Sequence, residues 1–169
     1  MKIIVAPDTR LNQVSKEVKV IDNKIVSILN DMLECMYQNN GIGLAAPQVG
    51  ILKRLVVIDC SDDRNKKNPL KLINPEIIHS SEEETEFEEG CLSLPKQYAK
   101  VVRPSKIKLK YKDVQGSLRS ESFKGIEATC IQHEIDHLNG KLFVDHVSKL
   151  KKNLIIKKLI KLKKNIYDK

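Results

Sequence analysis

Two histidines four residues apart, in Gln132-His133-Glu134-Ile135-Asp136-His137, constrain this chain more tightly than any other feature. Ile126, Ile131, Ile135 and Leu138 recur around them at near-helical spacing and Gly140 supplies a stop, so the segment reads as a half-buried helix. Residues four apart on a helix sit about one turn apart and roughly 40° from each other around the axis. His133 and His137 can therefore grip one metal ion, and Glu134 is placed to act as a general base rather than as a third ligand. The competing structural reading is a helix that merely carries solvated His and Glu.

Two histidines leave a metal site incomplete. Phe143 stands where one protease pattern would place a third His, and no Glu follows Glu134, which closes two common routes to the remaining ligand. Asp145 and His146 read as surface residues beyond the helix. Cys35 and Cys60 read as buried small hydrophobes, and Cys130 lies about 10 Å along the helix from His137, too far for its short side chain. Cys91 differs. In Glu88-Glu89-Gly90-Cys91-Leu92-Ser93-Leu94-Pro95, Gly90 permits tight backbone geometry and Pro95 ends regular pairing, which suits a ligand held on a strand or turn.

Gly41-Ile42-Gly43-Leu44-Ala45-Ala46-Pro47-Gln48, Glu89-Gly90-Cys91-Leu92-Ser93 and the two-histidine segment together resemble the three signature motifs of peptide deformylase, in the order and near the spacings of its bacterial members. The resemblance implies one divalent metal ion per chain, held by Cys91, His133 and His137 with water in the fourth position. It suggests Fe(II) in the cell, with Zn(II), Ni(II) or Co(II) as replacements in purified protein. The implied reaction is hydrolysis of the N-terminal formyl group of formyl-methionyl nascent peptides, releasing formate. Glu134 then serves as base and acid, and the Leu92 backbone N–H and the Gln48 side-chain amide donate to the oxyanion. By the same resemblance Ile42, Phe87, Ile126 and Cys130 line a methionine pocket, and Glu89 pairs with Arg103 to brace the Cys91 turn. Gly43, Gly90 and Thr129 complete the substrate-binding set. Glu127 and Thr129 stand where the family leads one to expect apolar residues. Glu127 suits the first turn of a helix, whereas Thr129 alters the polarity of the pocket.

Two other chemistries compete. Gly41-x-Gly43-x-x-Ala46 also satisfies the dinucleotide-binding fingerprint, but that motif must follow a strand and open a helix. Here Ile21, Ile25, Ile28, Leu29, Met32, Leu33 and Met36 predict a helix ending at Asn39-Asn40-Gly41, and the two glycines instead let a chain segment approach a peptide substrate. Another metallohydrolase or peptidase with the same helix motif is the nearer alternative. A basic RNA-binding module is the more distant one, because no Trp and only seven Phe and Tyr leave little stacking platform.

Strands are expected over residues 55–59, 70–78 and 99–102, a polar loop over 62–69, and a hairpin in which Ile107, Leu109 and Tyr111 alternate before the turn Asp113-Val114-Gln115-Gly116 and a return over 118–123. Residues 82–89 hold six glutamates and read as a solvated face, Glu89 excepted. These elements predict an α+β fold, mainly antiparallel sheets around the central metal-binding helix with a C-terminal helix. A single catalytic domain over residues 1–169 is expected, with that last helix at about 148–166. No segment has the length of a signal peptide or a membrane span, so the expectation is a cytoplasmic protein with reduced thiols and no membrane partner.

Charge is concentrated at the end. Residues 147–169 carry nine lysines and one aspartate, whereas the preceding 146 residues carry 21 basic and 21 acidic groups. Leu150, Leu154, Ile155, Leu159, Leu162 and Ile166 give this stretch an apolar stripe for docking while lysines face outward. Bacterial deformylases approach the ribosome through their C-terminal helix, so the resemblance implies a ribosomal RNA partner. The plainer reading is compositional bias, since lysines outnumber arginines 25 to 5.

Overall fold

The computed structural model describes residues 1–61 and 66–167, with side chains through residue 162. Residues 62–65 of the expected polar loop, and the side chains of Lys163, Lys164 and Ile166, lie outside the described residues.

Helix α1 (Asn23–Gln38) begins where the Asp22 side chain accepts the Ile25 N–H at 2.9 Å and stops at Asn39, after which Asn40 turns into the left-handed region at φ 56°. The strands, in chain order, are β1 (Gly43–Ala45), β2 (Leu55–Ile58), β3 (Leu70–Ser80), β4 (Glu84–Cys91), β5 (Leu94–Pro104), β6 (Lys106–Lys112) and β7 (Leu118–Lys124). Helix α2 (Gly125–Leu138) carries the two-histidine motif, and helix α3 (Lys149–Tyr167) closes the chain. An antiparallel sheet runs β1-β2-β3-β6-β7, and β4 and β5 form a separate antiparallel pair. This is the α+β arrangement expected from the sequence. The Gly41–Gly43 segment follows a helix and enters a strand, which is the reverse of what dinucleotide binding requires.

The large sheet is buried on both faces at β1 and β2, and β2 shows why. Val56 and Ile58 point to a core shared with Ile131, Ile135 and Leu138 of α2, whereas Leu55 and Val57 point to one shared with Leu29, Met32 and Met36 of α1. A period-two strand without polar residues thus divides its side chains between two helices, and α2 is pinned against the sheet by its apolar stripe. Each fully buried Leu or Ile contributes about 1.5–3 kcal/mol.

Three expectations need correction. Residues 84–91 form a paired strand in which Thr85, Phe87 and Glu89 turn inward while Glu84, Glu86 and Glu88 face solvent, so the acidic run is a solvated face only at alternate positions. Pro95 does not end pairing. It is the second residue of β5, where a missing N–H is tolerated, and the irregularity falls instead between Gly90 and Cys91. On α3, Ile155 and Leu159 are buried against Leu94, Val101 and Phe143, but Leu150 and Leu154 are 72% and 52% exposed, so the docked stripe is narrower than the sequence suggests. Among the described residues no helix is long and apolar enough to cross a membrane.

Candidate active site

Cys91 ends β4, and His133 and His137 lie one turn apart on α2. Their Sγ and ring nitrogens all fall within 4.8 Å of one another, with Sγ 3.2 Å from His137 Nε2. The His133 Nδ1 is 2.8 Å from Glu89 Oε2, which leaves Nε2 for the cluster. Burial holds the His137 pKa well below the ordinary histidine value, and the charges of His133 and Arg103 lower it further, so this ring is the neutral form that a metal requires. At His133 burial pulls the same way but is outweighed by hydrogen bonds to Cys91 and Glu89, and the pKa is raised. A position that draws a proton in this way, among thiol and carboxylates, also favours a metal cation. One thiolate and two imidazoles at these separations fit a divalent transition ion. Cys130 stands apart, its Sγ 3.6 Å from the Ile42 carbonyl.

Glu89 is fixed from two sides. Burial alone would raise its pKa, but hydrogen bonds from His133 and Arg103 bring it down to about 2, and Arg103 grips it in a fork at 2.5 and 3.0 Å. Glu134 shows the opposite balance. It is 4% exposed, and burial pushes its pKa up to about 7, where a carboxyl exchanges protons readily near neutrality. Its Oε2 has no hydrogen-bond partner among the described residues.

Gln48 reaches the site from the 3₁₀ turn Ala46–Val49 that follows β1. Its Oε1 accepts the Ala45 N–H at 2.8 Å, which aims the amide nitrogen at Cys91 Sγ, 3.4 Å away, and at Ser93 Oγ, 3.3 Å away. Leu92 sits in the two-residue turn between β4 and β5. Gly43 has a purpose beyond the one expected. A Cβ there would run into the Glu134 carboxylate and lie 2.7 Å from Cys130 Sγ, so the glycine also makes room for Glu134. Gly43→Ala should displace Glu134 and lower kcat by about 10²-fold while the metal is retained. Steady-state kinetics with metal analysis checks this, and an unchanged kcat would contradict it.

A cleft of about 560 Å³ brings Ile42, Gly43, Phe87, Glu89, Gly90, Ile126, Thr129 and Cys130 together with Gln48, Cys91, Leu92, His133 and Glu134. Ile126 is 44% exposed at its edge, Thr129 is buried, and Glu127 faces solvent as its helix position suggested. Sequence reasoning missed three participants. Ser93 meets Gln48, Tyr98 covers Gly90 in the cleft, and Asp136 holds the far side of Arg103 at 2.8 Å. Asp136 and Ser93 each carried a signal, as part of the two-histidine motif and of the Cys91 motif, whereas Tyr98 carried none.

Converging sulfur and nitrogen donors, a buried carboxyl of raised pKa beside them and an adjoining apolar cleft define a metallohydrolase site. The family model described as Polypeptide deformylase matches residues 1–153. A peptide deformylase of Rhizobium meliloti (strain 1021) is 50% identical over 154 residues, covering 91% of this chain and 88% of that protein. The crystal structure of a peptide deformylase from Legionella pneumophila superposes with a TM-score of 0.91 at 46% identity, covering 99% of this chain and 98% of that one. The Ehrlichia chaffeensis peptide deformylase in complex with actinonin gives 0.91 at 39% identity, covering 95% and 96%. The chain belongs to the polypeptide deformylase family, whose members are metal-dependent enzymes that remove the formyl group from the N-terminus of nascent peptides.

Proposed function

We propose that this chain hydrolyses the formyl group from formyl-methionyl nascent peptides in the cytoplasm, with Cys91, His133 and His137 holding one Fe(II) and residues 1–169 acting as one catalytic domain. The observation that carries the reading is the placement of Glu134, buried with a pKa of about 7 beside the three converging donors. When bound, the ion supplies Lewis acidity, polarising the formyl carbonyl and making water acidic enough to be deprotonated near neutral pH. Glu134 accepts the water proton and returns it to the amine as the C–N bond breaks, so that formyl amide and water become formate and a free amino terminus. The Gln48 amide and the Leu92 N–H stabilise the carbonyl oxygen as negative charge develops on it. Ile42, Phe87, Ile126 and Cys130 receive the methionine side chain. Formate release from formyl-Met-Ala, with no cleavage of the peptide bond in the same substrate or in unformylated Met-Ala-Ser, separates this activity from that of a peptidase. Peptide-bond cleavage without formate release would refute it.

The same reading assigns α3 to the ribosome. Lys151, Lys157, Lys158 and Lys161 are exposed on it, whereas Lys152 is paired with Asp145. Changing those four lysines to Glu preserves Ile155 and Leu159 and should therefore keep the fold. Ribosome binding should weaken by at least 10-fold at low salt and lose most of its salt dependence, with activity on a short formyl peptide intact. Unchanged affinity and salt slope in a cosedimentation assay would make the lysines compositional.

A further inference from the structure

The 3₁₀ turn Phe143–His146 touches the metal-site helix twice. Phe143, 1% exposed, stacks on the His133 ring with centroids 6.2 Å apart and planes 22° from parallel. From the other end of the turn, His146 Nε2 lies 2.7 Å from Asp136 Oδ2, and the same oxygen accepts Arg103 Nη1–H at 2.8 Å. Arg103 in turn forks onto Glu89, whose Oε2 meets His133 Nδ1 at 2.8 Å. An unbroken line of hydrogen bonds therefore runs from a side chain one-third exposed at the surface to a ring in the metal site. His146 was read from the sequence as a bystander.

We propose that His146 is a positioning residue for the metal centre, acting through Asp136, Arg103 and Glu89 to fix the His133 ring. With Asp136 a carboxylate, His146 Nε2 carries the hydrogen and donates it. That bond is a second restraint on a partly exposed side chain, 16% accessible, whose same oxygen Arg103 also holds. Asp136 anchored in this way completes the hold on Arg103, which has Glu89 on one side of its guanidinium and Asp136 on the other. A fixed Arg103 keeps Glu89 aligned on Nδ1, and a donated Nδ1–H is what presents the Nε2 lone pair to an ion. Phe143 limits tilting of the same ring, so one short turn controls both its hydrogen bond and its plane. The inference rests on the ligand assignment above but not on the identity of the substrate.

The test is the rate at which the Co(II)-loaded full chain surrenders its metal to excess chelator, followed by the cobalt absorption. His146→Leu removes the donor, and His146→Gln keeps an N–H that can reach Asp136. Partners that orient a ligand from outside the coordination shell are worth about 10- to 100-fold in affinity. His146 acts at three removes, so release from His146→Leu should be faster by about 3- to 10-fold, with His146→Gln within about 2-fold of the unaltered protein. Release at the unaltered rate from His146→Leu would overturn the proposal, as would equal acceleration in both variants, which would assign His146 to local packing. Failure of the unaltered protein to take up cobalt would overturn the ligand assignment itself and the proposal with it.

Discussion

Cys91→Ala, His133→Ala and His137→Ala should each emerge from anaerobic purification without stoichiometric metal and release no measurable formate, whereas Cys130→Ala should keep its ion. The first three side chains put their donor atoms within 4.8 Å of one another, and Cys130 Sγ is directed at the Ile42 carbonyl instead. Protein metal sites of comparable nitrogen and sulfur donors bind with a free energy on the order of 10 kcal/mol, so removing one of three donors costs roughly 10²-fold or more in affinity. For His133 the loss extends further, because Glu89 is left without its imidazole partner. Metal analysis of the four variants, beside circular dichroism to confirm folding, decides the matter. Stoichiometric metal in Cys91→Ala, or specific metal loss from a folded Cys130→Ala, would contradict the assignment.

Glu134→Gln should do the reverse, keeping the metal and losing about 10²- to 10⁴-fold in kcat. The amide has nearly the same shape as the carboxyl but cannot accept a proton. Glu134 is buried between Gly43 and the ligands, so no neighbouring carboxylate can take over, since Glu89 is held ionised by Arg103 and His133 and its pKa of about 2 makes it a poor base. The same substitution tests whether the position is structural. A variant with bound metal, normal KM and near-normal kcat on formyl-Met-Ala would remove Glu134 from the chemistry.

Much of this architecture was legible because a single period dominated each segment. Helix α1 announced itself through Ile25, Leu29, Met32 and Met36, α2 through Ile131, Ile135 and Leu138, and the β6-β7 hairpin through Ile107, Leu109 and Tyr111 with its Asp113–Gly116 turn. Strand β4 was hidden for a physical reason. Glutamate occupies both of its faces, inward at Glu89 where Arg103 neutralises it and outward at Glu84, Glu86 and Glu88, so no hydrophobic alternation marks the strand. In α3 apolar residues fall on more than one side, and only the contact with Phe143 and Val101 selects Ile155 and Leu159.

The site divides in the same way. His133, Glu134 and His137 follow from helical spacing alone. Cys91 stood out among the cysteines by its local setting, but 41 residues separate it from His133 and 84 separate Gln48 from His133, so the resemblance to known motifs was needed to join both to the histidines. The reason for Gly43 was out of reach for the same cause, since its crowding neighbour Glu134 comes from α2. Asp136 and His146 are ten residues from one another if the helix and its exit turn are read as a line, and nothing in that line says that Arg103 from β5 completes the link.

The central claim is that one metal ion per chain, held by these three residues, is necessary and sufficient for deformylation. It is tested most directly by stripping the protein with a chelator, adding Fe(II) back anaerobically in sub-stoichiometric steps, and recording formate release from formyl-Met-Ala at each step. Activity should be absent at the start, rise in proportion to added iron and level off at one ion per chain. Turnover by the fully stripped protein, or a plateau reached only at two ions per chain, would contradict it.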